Sequence, residues 1–343
     1  MQSIIDSSKA ESRGSLRPGD GAVFLICCFG VLLFSALVSS FAPIGFSVAT
    51  VFAFAGPHNW VELRYFLSRL PSKFGPLRTF FCASFAGVFL LGLAYATLIT
   101  LARENAIEYE NAIFYFRTWI ASLHLWLMFL CVSRAVNKKL LQQAPVLLAL
   151  CASMVVALQF PLYFGLALVY LHPLVGLWIL ERELHRSRPT WVRPYQTALA
   201  LAAALLTAMV AVLLNQPSLA GDGRLVEQLS RHAGSFLLSD VSTHMLVSVH
   251  AFLEMLHYAV WLVAIPIATR ALRRKLWQPA RMPISRDSSL LKKIIAVVFL
   301  SSSLLVVSLW VAFLGDYSAT RDLYFTVAVF HILAELPFLL WML

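Results

Sequence analysis

Three glutamates, Glu62, Glu254 and Glu335, lie inside long apolar runs, and each follows a histidine by four residues: His58 in PHNWVE, His250 in HAFLE and His331 in HILAE. That spacing puts both side chains on one helix face, one turn apart, so each pair offers an imidazole and a carboxylate to the same point. His257, three residues after Glu254, extends the second face, and His124 and His172 stand in two further apolar runs. Ionisable groups at membrane depth are costly and mark function by default. Imidazole with carboxylate is the donor set of non-haem iron and also suits zinc and manganese, and helical bundles carrying Glu and His at fixed offsets hold pairs of metal ions. The candidate ligands are His58, Glu62, His124, His172, His250, Glu254, His257, His331 and Glu335. They outnumber the needs of one tetrahedral ion, so two iron ions are expected, with copper, manganese or zinc as alternatives. Soft copper(I) is disfavoured because no thiolate or thioether lies nearby.

The elements that position these residues are membrane spans. Of 343 residues 60% are hydrophobic and 13% charged, and the mean hydropathy is +0.78. Such a chain lacks the polar surface to cover a soluble globule. The expected fold is all-α, a polytopic integral membrane bundle of about ten transmembrane helices. They fall near 22–41, 43–70, 79–102, 112–133, 144–159, 161–181, 196–214, 242–270, 290–314 and 323–343, each able to cross about 30 Å of hydrocarbon, although the fifth is short. Residues 1–20 read as a polar cytoplasmic tail and 21–343 as one transmembrane domain. Within it, Gln216 to Ser242 is an external segment whose Leu225, Leu229 and Phe236 suggest an amphipathic, surface-lying piece.

The net charge of +10 would suggest nucleic acid in a soluble protein. Here the basic residues cluster between the apolar runs, which is a topology signal instead. With both termini inside, 22 of the 27 Lys and Arg residues fall on the cytoplasmic side, leaving Arg103, Arg117, Arg224, Arg231 and Arg321 outside. The expected location is a bacterial inner membrane. All the paired histidines then fall on even-numbered spans, which run parallel, and an inner bundle of even helices with a polar centre follows. His250 and His331 are expected at one level, with His58 beside His257, and the other fourteen of the seventeen acids in the tail or loops.

Prolines 57, 173 and 337 flank the same residues, where kinks free backbone carbonyls and open a cavity. Arg64 either snorkels to the cytoplasmic surface or pairs with Glu62. Cys27, Cys28, Cys82, Cys131 and Cys151 form no CxxC pair and read as free thiols packed as small hydrophobes. No nucleotide-binding loop, haem-attachment CxxCH, zinc ribbon or nucleophile elbow occurs. A single intramembrane histidine such as His124 or His244 also suits a hydrogen-bonding strut.

GPHNWVE resembles the Pro-His-Gly-x-x-Asp element of the membrane-bound β-carotene-cleaving oxygenases of the Brp/Blh type, and HAFLEMLHYAVW is similar to their later histidine-rich helix. The resemblance covers some twenty residues, with Asn59 and Glu62 where that family has Gly and Asp. It implies an iron-dependent membrane enzyme that cleaves a carotenoid with O₂, with His58, His250 and His257 among the ligands.

These readings converge on a membrane-embedded non-haem metal oxygenase acting on a lipophilic substrate, a carotenoid or other lipid, that enters from the bilayer. Its electron donor is not specified by the sequence, and nucleic acid is not among its expected partners. Two other classes fit the same residues. One is a proton- or metal-ion-coupled transporter, although the pairs on spans two, eight and ten form no two-fold repeat. The other is a structural or assembly factor of a membrane complex.

Overall fold

A computed structural model describes residues 20–71, 74–135, 140–221, 223–269 and 289–342. Residues 1–19 of the expected tail, Lys73, Lys138, Lys139 and the basic stretch 270–288 lie outside the described residues. All regular structure described is helical, without strands: α1 (Asp20–Phe41), α2 (Pro43–Arg69), α3 (Arg78–Arg103), α4 (Tyr109–Arg134), α5 (Ala144–Gln159), α6 (Pro161–Ser187), α7 (Val192–Leu213), the short α8 (Arg224–His232), α9 (Thr243–Ala268), α10 (Ser289–Gly315) and α11 (Tyr317–Met342).

Eight of these, α1, α3, α4, α6, α7, α9, α10 and α11, are long and apolar enough to cross a membrane. The protein is therefore a helical membrane bundle. The other two long elements fall short of that measure for different reasons. Helix α5 is apolar but has 16 residues, whereas α2 has 27 and is diluted by His58, Asn59, Glu62 and Arg64.

Single-residue corners make neighbours antiparallel. Ala42 (φ −136°, ψ 57°) joins α1 to α2, and Phe160 (φ −123°, ψ 61°) joins α5 to α6. Each corner is followed by a proline at the first helical position, where a missing N–H costs nothing. Helix α11 starts six residues earlier than the sequence reading placed it. Asp316 Oδ1 accepts the Ala319 N–H at 2.9 Å, an N-cap that satisfies one of the free donors of the first turn. Arg321 and Asp322 are thereby inside the helix, not in a loop.

Helix α6 likewise runs past residue 181 and carries Glu183 into the interior, where it accepts a hydrogen bond from Tyr65 Oη at 2.9 Å and pairs with Arg69. Glu110, Glu181 and Glu227 are helical rather than in loops, and the expectation that only three acids leave the loops is corrected most deeply by Glu183 and Asp322. Both had been assigned to connections because the helix ends were set too short.

Helices α9 and α11 are the inner pair: half of each apolar stretch is buried by protein, against 11–28% in the other six spans. The rest turn toward lipid, as Leu300, Leu304 and Leu305 of α10 do. Helix α3 closes on α11 through Gly92, whose missing Cβ would stand 2.5 Å from the Phe330 ring. Helix α8 lies across the bundle end. Leu229 and Ala233 are buried with Leu246 and Val247 of α9, while Arg224, Glu227 and Arg231 face outward. Only part of the expected 216–242 amphipathic segment is helical, because a turn follows His232 and leaves Phe236 exposed.

Candidate metal centre

Four helices bring four imidazoles together. His58 of α2 has its ring centroid 5.2 Å from His257 of α9 and 5.4 Å from His331 of α11. His172 of α6 lies 4.7 Å from His257 and 5.7 Å from His331. One ligand atom from each of His58, Glu62, His257 and His331 falls within 4.8 Å of the others, which suits the coordination sphere of a single ion.

The donor atoms are prepared for this. His58 Nδ1 donates to the Phe54 carbonyl at 3.0 Å, a bond that fixes the tautomer and leaves the Nε2 lone pair facing inward. That Nε2 is buried without a partner among the described residues. His172 is held the same way, Nδ1 to the Val169 carbonyl at 3.1 Å. Both nitrogens of His257 and Nε2 of His331 are also buried without hydrogen bonds to described residues.

The carboxylates of Glu62 and Glu335 are buried; neither Glu62 oxygen accepts a hydrogen bond from a described residue, and the Trp261 indole is the donor near Glu335. Two such groups in one low-dielectric interior call for a cation or shared protons. Arg64 stacks on aromatic rings of α2 and α10. Its guanidinium lies over the rings of Trp60 at 4.1 Å and Phe299 at 4.7 Å.

Local backbone features set this layer. The long helices run through Pro57, Pro173 and Pro337, each within two residues of a candidate ligand. Immediately after His257 and Tyr258, α9 widens into a π-turn over Val260–Ala264. Pro266 follows and has no N–H to return to the Leu262 carbonyl, so the regular ladder cannot persist there. Opposite, Gly176 of α6 makes room for the ligands: a Cβ there would meet Trp261 Nε1 at 3.3 Å and His257 Nδ1 at 3.4 Å.

The remaining candidates separate. Glu254 lies one turn from His257, outside the four-residue group, and accepts the Tyr258 hydroxyl at 2.9 Å. His250 faces His232 at 4.9 Å and Tyr170 at 5.9 Å. The expected level of His250 with His331 does not occur, because with α11 starting at Tyr317 it is His257 and His331 that each lie fourteen residues into their helices.

His124 stands apart. Its Nδ1 reaches the Ile120 carbonyl at 2.8 Å and its Nε2 the Ser153 hydroxyl at 3.1 Å, so neither nitrogen is open. The even-helix bundle therefore converges through α2, α6, α9 and α11 but not through α4. His244 is similarly engaged, with Nε2 donating to the Ser40 carbonyl at 2.7 Å.

Sequence reasoning missed three polar residues here: His232, Tyr258 and Arg321. The Asp-Tyr-Ser start of α11 was the signal that would have put Arg321 inside. His232 left no trace in the pattern, since only the fold returns α8 over the bundle.

A cavity of about 100 Å³ joins these groups, lined by six histidines (58, 172, 232, 250, 257 and 331) and by apolar residues including Phe116, Leu168, Val169, Phe325 and Val329. It is large enough for an ion with small oxygen ligands. In comparisons with known proteins, no protein family, curated protein or solved structure matches this chain.

Proposed function

We propose that this protein is a membrane-embedded metal-dependent oxygenase, with iron as the first choice of metal, that acts on a lipophilic substrate reaching the cavity from the bilayer. The observation that carries the reading is the buried set of unpartnered donors on His58, His257, His331 and Glu62, within 4.8 Å of one another. Desolvating so many polar atoms without hydrogen bonds costs several kcal/mol, and a divalent ion coordinating them offsets that cost. His172 completes the imidazole ring, and Glu335 adds a second negative charge.

The compact group favours one ion at its centre; a second iron, as in a di-iron site, would sit toward Glu62 and Glu335. The metal would activate O₂ and balance developing charge. The surrounding side chains hold the ion, exclude water and present apolar walls to the substrate. Cleavage of a carbon–carbon double bond places both atoms of O₂ in two carbonyl products and needs no outside reductant. Hydroxylation sends one oxygen to water and takes two electrons from a donor, so reductant dependence separates these two reactions.

The topology that goes with this reading has ten spans, including α2 and α5, with both termini on the cytoplasmic face of a bacterial inner membrane. The decisive measurement is elemental analysis of the purified protein. Bound iron near one or two atoms per chain, lost on His257→Ala, supports the proposal. Metal-free protein that retains its full activity ends it.

A coupled transporter is the second reading, favoured by the polar groups that continue from the cluster through Glu254 to His250 and His232. It requires ion flux in proteoliposomes that depends on the same residues.

A further inference from the structure

Above the imidazole cluster, toward α8, the same cavity has a second polar tier with a different chemistry. Arg321 is 2% exposed and stands behind the cavity lining, with the Tyr317 hydroxyl and Asp322 beside it; its Nε and Nη2 make no hydrogen bond with a described residue. Its guanidinium lies over the Phe325 ring at 4.5 Å and within electrostatic reach of Glu254, His250 and His232. Glu254 spends one oxygen on Tyr258 and leaves Oε2 buried and unpartnered. His250 and His232 line the cavity with rings 4.9 Å apart.

This tier is not a second copy of the metal site. The grouping of close metal-ligating atoms among the described residues is confined to the lower tier, and a guanidinium repels a further cation at short range. What the tier offers is a ring of donors and acceptors with a positive group already faced by the Glu254 carboxylate. That combination satisfies a neutral oxygen, which can both accept from a guanidinium or imidazole and, if a hydroxyl, donate to a carboxylate. His250 and His257 are two helical turns apart, on the order of 10 Å, and Phe325, Ala328 and Val329 help to line the cavity.

Resting on the reading that the cavity takes a lipophilic substrate, we propose that His250, His232 and Glu254, with Arg321 behind them setting the charge of the wall, form an anchoring subsite for a hydroxyl or carbonyl oxygen at one end of that substrate. The anchor sets which carbon lies at the imidazole cluster, so the position of reaction is measured from the oxygenated end. The substrate class is a long apolar chain bearing a neutral terminal oxygen, rather than a pure hydrocarbon or a fatty acid.

The test uses full-length protein as purified, in lipid nanodiscs, with three matched polyene probes: all-trans-retinol, the corresponding hydrocarbon without the hydroxyl, and the corresponding carboxylic acid. Binding is read by energy transfer from tryptophan to the polyene, which requires neither turnover nor metal. The wild type is expected to hold the alcohol at least about tenfold more tightly than the hydrocarbon, because a site built around polar groups rejects an analogue that leaves them unpaired. Arg321→Gln and His250→Phe should each cut that preference to about threefold or less while leaving hydrocarbon affinity and bound metal per chain unchanged. Should Arg321→Gln not fold, Arg321→Lys and His250→Phe carry the comparison.

Equal affinity for alcohol and hydrocarbon in the wild type overturns the proposal, as does an alcohol preference that survives both variants. Tighter binding of the acid than of the alcohol rejects the neutral-oxygen assignment, and loss of metal on His250→Phe makes that residue a ligand instead of an anchor. A wild type without metal removes the oxygenase reading and leaves the probe comparison intact, so the two failures are distinguishable.

Discussion

His172 Nδ1 donates to the carbonyl of Val169 at 3.1 Å, an acceptor that Pro173, lacking an N–H, cannot use in the helical ladder. The proline thus frees a backbone oxygen one turn back, and the neighbouring imidazole takes it, which turns the other ring nitrogen toward the cavity. Restoring the backbone donor with Pro173→Ala should tighten α6 and loosen the ring. The expected outcome is a small rise in melting temperature together with about tenfold weaker metal binding, the scale seen when a partner that orients a ligand is lost. Unchanged affinity in a competitive chelator titration would show that this bond does not orient a ligand.

Ligand candidates and the strut are separable by metal content. His257→Ala removes the imidazole closest to His172 and is expected to lose most of the bound metal on purification. His124→Phe breaks only the bonds to Ile120 and Ser153 and should keep its metal, at a stability cost of about 1–2 kcal/mol. Elemental analysis of both proteins, side by side with thermal melting, gives the comparison.

The carboxylates make a prediction of opposite sign with and without metal. Glu62 and Glu335 are both buried, with no cationic side chain among their hydrogen-bond partners in the described residues. Chelating the metal should therefore destabilise the wild type. Glu335→Gln removes a buried carboxyl that, without metal, must either stay ionised or take up a proton, so its chelated form should melt above the chelated wild type by an amount equivalent to about 1–3 kcal/mol. With metal restored the order should reverse or close. A variant that melts lower than wild type under both conditions contradicts this account.

At the other end of the bundle, Glu183 joins α6 to α2 through Tyr65 and Arg69. Truncating one member of a buried ion pair leaves the other charge stranded, and Glu183→Ala should cost about 3 kcal/mol. Metal content should not change, because the pair lies well away from the imidazole layer. Loss of metal from this variant would mean that the two regions are coupled.

Much of the site was legible because its signal is local. A four-residue His/Glu spacing survives any uncertainty in how helices pack, and His58, His331 and their glutamates can be found by period alone. Convergence of α2, α9 and α11 followed from charge alternation and parallel direction. Depth was not legible to better than a turn or two, since it depends on where each helix begins. Asp316, read as loop, is the cap that moved α11 by six residues and brought His257 rather than His250 beside His331. His124 illustrates the opposite limit: its sequence surroundings resemble those of His172, and only the Ser153 hydroxyl on the adjoining α5 distinguishes a strut from a donor. Arg321 and Glu183 were hidden because charged residues near apolar run ends read as connections by default.

The polar content of α2 has a consequence for how the protein is made. The eight long apolar spans can each leave the translocon for lipid on their own hydrophobicity, whereas α2 carries His58, Asn59, Glu62 and Arg64 and partitions poorly as a solitary segment. The one-residue corner at Ala42 ties it to α1, the most hydrophobic span of the set. The two should enter the bilayer as a hairpin, with α1 drawing its partner in, so that lengthening that corner would impair biogenesis before it disturbed any chemistry.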